Sequence, residues 1–243
     1  MNCRVVLVRT EVAANIGATA RVMSNFGLTD LVLVAPVADP RDHQARALAT
    51  NGEKVLDDCR IVNDFSDALS DCVLVAGTSA RTGGLFRRQS VGRPDEIIPQ
   101  LFEAMSSGPV ALIFGPERTG LTNDEVSRLT YLIHIPTDPA CPALNLAQAV
   151  AVCLYELRCR VAETSPATTE VEVAPYADQE RMFQALRESL ERIDYLFGPN
   201  AEALMFGLRH LISRAQPSPM EVRLLLGLAR QIAWFADNKP NLP

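Results

Sequence analysis

The sequence predicts an α/β fold, a parallel sheet covered by helices on both faces, followed by a helical extension. Two observations carry this. Short apolar runs and helix-forming segments alternate roughly six times before residue 162. Beyond a segment rich in Thr, Pro, Ala and Glu, three amphipathic helices follow without strands.

The elements read in order as follows. Arg4–Val8 is a first strand, and Ile16, Ala20, Met23 and Phe26 keep helical spacing up to a stop at Gly27. Leu31–Ala35 is a strand closed by Pro36, Asp42–Ala49 a helix, Cys59–Val62 a weak strand and Phe65–Leu69 a short helix. Cys72–Ala76 is a strong strand that runs into Gly77-Thr78-Ser79-Ala80-Arg81 and a loop to Gly92. Pro94–Met105 is a helix with proline at its start, where a missing N–H costs little. Val110–Phe114 is a strand, Thr122 and Glu125 fit a capping box, and Tyr131–Ile135 is the last strand. Asn145–Val161 is a long helix. Asp178–Tyr195, Ala201–Arg214 and Met220–Phe235 form the tail, separated by Gly198-Pro199 and Pro217-Ser218-Pro219. The boundaries expected are therefore a first domain over 1–162, a linker over 163–176 and a helical extension over 177–243, folded on the first domain or held out from it.

Between Pro109 and Leu157 the pattern of apolar strand, polar loop and helix occurs twice in close succession, which is where open α/β sheets place ligands. The two loops, Gly115–Gly120 and Pro136–Pro142, are rich in glycine and proline, and such loops bind through main-chain N–H and C=O groups. Glu117 is not needed as a helix cap, since Thr122 and Glu125 supply one. Asn145 reads on its own as a helix N-cap, and Arg21 as a surface charge. No G-x-G-x-x-G, P-loop or G-x-S-x-G motif is present, so common dinucleotide, P-loop and serine-hydrolase readings lack support.

A net charge of −6 argues against non-specific coating of nucleic acid. Yet Thr78–Arg93 carries Arg81, Arg87, Arg88 and Arg93 with no acid, and Phe86 among them. That loop reads either as a phosphate-backbone contact with a stacking aromatic or as an exposed solubilising loop. The six cysteines form no C-x-x-C pair and read as reduced, packed thiols; the three histidines are scattered, so no metal is expected. No signal-peptide core and no apolar run of about 20 residues are present, so the cytoplasm and no membrane association are expected.

Three stretches resemble the SPOUT methyltransferases, in particular the SpoU/TrmH group of RNA ribose 2′-O-methyltransferases. Asn15-Ile16-Gly17 with Arg21 resembles the first motif, Phe114-Gly115-Pro116-Glu117-Arg118-Thr119-Gly120-Leu121 the second, and Ala143-Leu144-Asn145-Leu146-Ala147-Gln148-Ala149-Val150 the third. Their order and spacing match the group across roughly residues 3–160. Gly77–Arg81 and the tail, with Phe197-Gly198-Pro199 and Leu208–Ala215, are similar to enzymes that methylate cytidine or uridine 32 of the tRNA anticodon loop.

The resemblance implies a SPOUT fold with a deep trefoil knot from Gly115 to Asn145, which general rules of chain topology would reject. It implies a homodimer whose active site is shared between subunits, S-adenosylmethionine as cofactor and tRNA as partner. Thr78, Ser79, Ala80, Gly115, Ile135, Pro142, Ala143 and Leu144 are expected at the cofactor. Arg21, Glu117 and Asn145 take the family's active-site positions, and Asn15, Arg81, Arg87, Arg88 and Arg118 are expected on the RNA side. Arginine stays protonated, so Arg21 is expected to bind the ribose-phosphate and stabilise a developing alkoxide rather than act as a base. Many relatives carry serine where this chain has Ala143, which removes a hydroxyl role there. Alternatives within the same resemblance are rRNA or another tRNA nucleotide as target, or an RNA-binding module without catalysis. An unknotted nucleotide-binding domain would need a glycine fingerprint that is missing.

Overall fold

The structure, a computed structural model, describes residues 1–80, 91–163 and 173–238. The first domain is built from β1 (Cys3–Val8), α1 (Ala13–Phe26), β2 (Leu31–Val34), α2 (His43–Ala49), α3 (Glu53–Asp57), β3 (Arg60–Val62), β4 (Leu74–Thr78), β5 (Val91–Gly92), α4 (Pro94–Ala104), β6 (Val110–Phe114), α5 (Asn123–Ser127), β7 (Tyr131–Ile133) and α6 (Leu146–Glu163). All pairings in the sheet are parallel, in the order β3-β2-β1-β6-β4-β7-β5.

Side chains alternate across the sheet with the period of two that a strand imposes. Val5, Leu7, Leu74, Ala76, Leu112 and Phe114 point to one face, where Ile16, Ala20 and Met23 of α1, Leu101 of α4 and Val150, Leu154 and Leu157 of α6 bury them. Val6, Val8, Val75, Ala111 and Ile113 point to the other, against Phe65, Leu69, Leu121, Val126, Leu129 and Tyr176. Both faces are therefore covered, as a parallel sheet requires.

Gly17 is where α1 meets α2. A Cβ there would lie 1.9 Å from the carbonyl oxygen of Ala45, so only glycine permits this backbone approach. Arg4 is buried in β1, with its guanidinium bonded to Asp30 at 2.7 Å, Asp71 at 2.6 Å and the Ala68 carbonyl at 2.8 Å. These partners outweigh the burial that opposes its charge, and they raise its pKa.

Several boundaries differ from the sequence reading. Phe65–Leu69 forms turns, not a helix. The Asp64 carboxylate accepts from the Ser66 N–H at 2.7 Å, and Arg4 takes the Ala68 carbonyl, so local side chains replace the helical ladder. Strands β4 and β7 are shifted or shortened to Leu74–Thr78 and Tyr131–Ile133, while α3 and the two-residue β5 were unforeseen.

The tail comprises α7 (Tyr176–Arg192), α8 (Ala201–Arg214) and α9 (Pro219–Asp237). It has a core of its own, including Met182, Phe183, Leu186, Met205, Val222 and Leu226. The end of the expected linker is packed, not free. Val173 joins the core of the sheet domain, and the Tyr176 and Ala177 N–H groups donate to Cys72 at 2.5 Å and Ser70 at 3.0 Å. The tail therefore folds on the first domain. Cys3, Cys72 and Cys153 are buried as reduced thiols, and burial pushes those of Cys72 and Cys153 up to about 12. Among the described residues no helix is long and apolar enough to cross a membrane, and no cluster of His, Cys, Asp or Glu could hold a metal.

Candidate active site

A cavity of about 350 Å³ opens at the carboxyl ends of β4, β6 and β7. Its size falls in the range of small-ligand sites. Thr78, Ser79 and Ala80 come from the end of β4. The Gly115–Leu121 loop follows β6, and Ile133 and Ile135 lie at and just beyond the end of β7. Thr137, Pro142, Ala143, Leu144, Leu146 and Ala149 complete the wall. All eight residues expected at the cofactor thus line one cavity, together with Glu117 and Arg118. The glycine and proline turns, separated in sequence by α5 and β7, close on one another here.

The Gly115 loop is packed to its limit. A Cβ on Gly115 would sit 2.4 Å from the Leu121 nitrogen and 2.5 Å from the Gly120 carbonyl carbon. One on Gly77 would meet Leu129 Cδ1 at 2.5 Å and Leu121 Cδ1 at 2.8 Å. Gly120 adopts a φ of +66°, the left-handed region glycine enters freely.

The three motifs meet in a chain of hydrogen bonds beside the cavity. Asn145 caps α6: its Oδ1 accepts from the Ala147 N–H at 2.9 Å, and its own N–H donates to Gln148 Oε1 at 3.1 Å. This is a reciprocal cap that the Asn-x-x-Gln spacing could have shown in advance. The Asn145 Nδ2 donates to Asn15 Oδ1 at 2.8 Å, and Asn15 Nδ2 donates to Glu117 Oε1 at 2.7 Å. The Glu11 N–H donates to Glu117 Oε2 at 3.0 Å. Asn145 therefore serves both as a cap and as a partner of the first motif. Asn15 is 8% exposed, and both ends of its amide are taken within the chain.

A second tie holds the same loop from the far side. Arg9, at the carboxyl end of β1, grips Glu125 with both guanidinium nitrogens, one bond being 2.9 Å. The Thr122 N–H and hydroxyl donate to the same carboxylate at 2.8 and 3.0 Å, forming the expected capping box. Burial pushes the Glu125 pKa up, but Arg9 and Thr122 together outweigh it and hold the carboxyl below its ordinary value.

Arg21 does not line the cavity of its own chain. It lies six residues beyond Asn15 on α1, roughly 240° around the helix axis. It is exposed and makes no ion pair among the described residues. Arg118 is exposed at the cavity rim. Arg81, Arg87 and Arg88, with Phe86, lie outside the described residues. A larger groove of about 790 Å³ runs between α5, α7 and α8. Its arginines are spent on acids: Arg128 on Asp124, Arg181 on Asp178, Arg187 on Glu202 and Arg209 on Glu180. None of these four arginines is left uncommitted, and the groove holds none of the three motifs.

Both parts of the chain match known families. Residues 2–155 match the SpoU rRNA Methylase family, and residues 177–241 match the family described as tRNA methyltransferase TrmJ, C-terminal domain. The chain is 38% identical over 237 residues to the tRNA (cytidine/uridine-2′-O-)-methyltransferase TrmJ of Yersinia pestis (strain Pestoides F), covering 95% of this chain and 91% of that one. It is 39% identical over 237 residues to the TrmJ of Citrobacter koseri, covering 95% and 96%. Among solved structures, TrmJ from Z. mobilis ZM4 superposes with a TM-score of 0.79 at 32% identity, covering 94% of this chain and 98% of that chain.

Proposed function

The chain belongs to the SpoU rRNA methylase family, and on that premise we propose that it methylates the ribose 2′-oxygen of tRNA at nucleotide 32 of the anticodon loop. One observation carries the reading: the eight residues expected at S-adenosylmethionine, drawn from four separate stretches of sequence, wall a single cavity beside the joined motifs. The cavity suits this cofactor. Among the described residues its walls are mainly glycine, proline, alanine, threonine and aliphatic residues, and Arg118 is their one cation, short of the cluster a nucleoside phosphate would need. When bound, S-adenosylmethionine supplies an electrophilic methyl group on a sulfonium.

Thr78, Ser79 and Ala80, the Gly115 backbone and the Pro142–Leu144 turn hold the cofactor in this account. Glu117 and Asn145 fix the two loops through Asn15. Arg21 reaches the site of the partner subunit, binds the ribose-phosphate and stabilises the oxygen as it loses its proton. Its absence from the lining of its own cavity supports a dimer with shared sites. The segment from Gly115 to Asn145 is threaded as a trefoil knot, a reading supported by the closure of both loops on one cavity. The names of the TrmJ relatives support tRNA over rRNA and support either pyrimidine as the target base.

The test is incubation with labelled S-adenosylmethionine and unmodified tRNA transcripts, followed by mapping of 2′-O-methyl nucleotides. Label at nucleotide 32 is expected for both cytidine and uridine. Label at another position would overturn the choice of nucleotide, and label only in rRNA the choice of substrate.

A further inference from the structure

We propose that Asn15 is a positioning residue that sets the gap between the two loops of the cofactor cavity, and that it does so only as a one-way hydrogen-bond bridge. The inference rests on reading that cavity as the S-adenosylmethionine site. The direction of the bridge follows from one helix end. An amide side chain can be turned either way, and its neighbours decide which. Asn145 must present Oδ1 to the Ala147 N–H, because that N–H is one of the donors a helix start leaves open. Its NH₂ is thereby directed at Asn15, 2.8 Å away. Asn15 must then accept with Oδ1, which turns its own NH₂ to Glu117 at 2.7 Å. Glu117 accepts there and from the Glu11 N–H. Every donor along the line meets an acceptor, and reversing any one amide leaves two donors or two acceptors face to face.

The bridge spans the cavity's supports. Glu117 belongs to the Gly115–Leu121 wall, and Asn145 lies between Leu144 and Leu146, which form the facing wall. Asn15 is the link between them, and it is buried on α1, which Gly17 pins against α2. The helix that carries Arg21 is thus fastened to both walls. Among the described residues, Arg118 follows Glu117 on the same wall and is exposed at the rim. Glu117 faces the bridge directly, Glu11 precedes it, and the first turn of α6, Leu146-Ala147-Gln148-Ala149, brings no charged group. On α2, His43 and Arg46 are exposed, and Arg46 pairs with Asp57.

The test is calorimetric titration of the full chain with S-adenosylmethionine at about pH 8 and about pH 5.5. Asn15→Asp puts a carboxylate against Glu117 where an N–H stood, and two carboxylates this close share one proton. Its affinity is expected to fall about tenfold at the higher pH and to return within about threefold of wild type at the lower, once a shared proton restores a donor. Asn15→Ala is expected to lose about as much at both pH values. Asn15→Asp with Glu117→Gln restores the bridge in reverse, since the new amide on the loop can donate to the new carboxylate on α1 and still accept from the Glu11 N–H. That pair is expected to bind within about threefold of wild type at either pH. Wild type that fails to bind S-adenosylmethionine would overturn the reading of the cavity and this role together. Wild type that binds, with an Asn15→Asp deficit absent or equal at both pH values, or a double variant no better than the single one, would overturn the bridge alone.

Discussion

Arg21→Ala is expected to slow single-turnover methyl transfer about 100-fold or more while leaving S-adenosylmethionine affinity within about twofold. The split follows from where Arg21 stands. It is absent from the cavity of its own chain, and the apolar face of α1, Ile16, Ala20 and Met23, turns toward the sheet and leaves Arg21 exposed on another side. If sites are shared between subunits, as proposed, a cation so placed meets the RNA in the site of the second subunit. Rapid-quench transfer from labelled cofactor measures the rate, and calorimetry measures the affinity. An unchanged rate would remove Arg21 from the chemistry. A large fall in cofactor affinity would place Arg21 at the cofactor instead.

Gly115→Ala is expected to weaken S-adenosylmethionine binding by at least about tenfold and to destabilise the fold by about 1–3 kcal/mol. Its new methyl would overlap backbone atoms of Gly120 and Leu121, and backbone cannot yield by rotating a side chain. The loop must open, and it is a wall of the cavity. Calorimetry and urea unfolding read the two effects, and wild-type values for both would contradict the packing argument. The two variants also test the dimer. With cofactor held well below the wild-type Kd each should be strongly impaired alone, but a heterodimer of Arg21→Ala with Gly115→Ala retains one complete site if sites are shared. Mixing equal amounts and allowing exchange is expected to restore about a quarter of wild-type activity. No recovery despite exchange would mean that each chain works with its own arginine.

Much of the sheet was legible because strands covered on both faces must be apolar throughout. Val110–Phe114 and the first strand stand out for that reason. Strand order was not legible, because β4 comes between β6 and β7 through contacts between distant segments. Short elements escaped as well: α3 and β5 are too brief to show a period. Phe65–Leu69 was misread as helix because its apolar residues suit a helix, while a buried arginine from β1 claims a carbonyl there.

The cavity residues were found by motif, not by composition. Thr78–Ala80 and Pro142–Leu144 carry little chemistry in their side chains, and what they offer is backbone. Asn145 shows the limit of local reading. As a helix cap it needed no further role, and the structure shows that it caps with its oxygen while its nitrogen reaches 130 residues away to Asn15. Nothing in the neighbourhood of Asn15 signals that contact. Its assignment to the RNA side came from the motif, whereas its amide is engaged inside the protein.

The most direct measurement of the central claim is a crystal structure of the chain with S-adenosylhomocysteine, the product the cofactor leaves. The account predicts the ligand between Thr78–Ala80, Gly115 and Pro142–Leu144, within a threaded Gly115–Asn145 segment and with the partner subunit's Arg21 facing the sulfur. A ligand bound elsewhere, or an unthreaded chain with Arg21 remote from both sites, would contradict it.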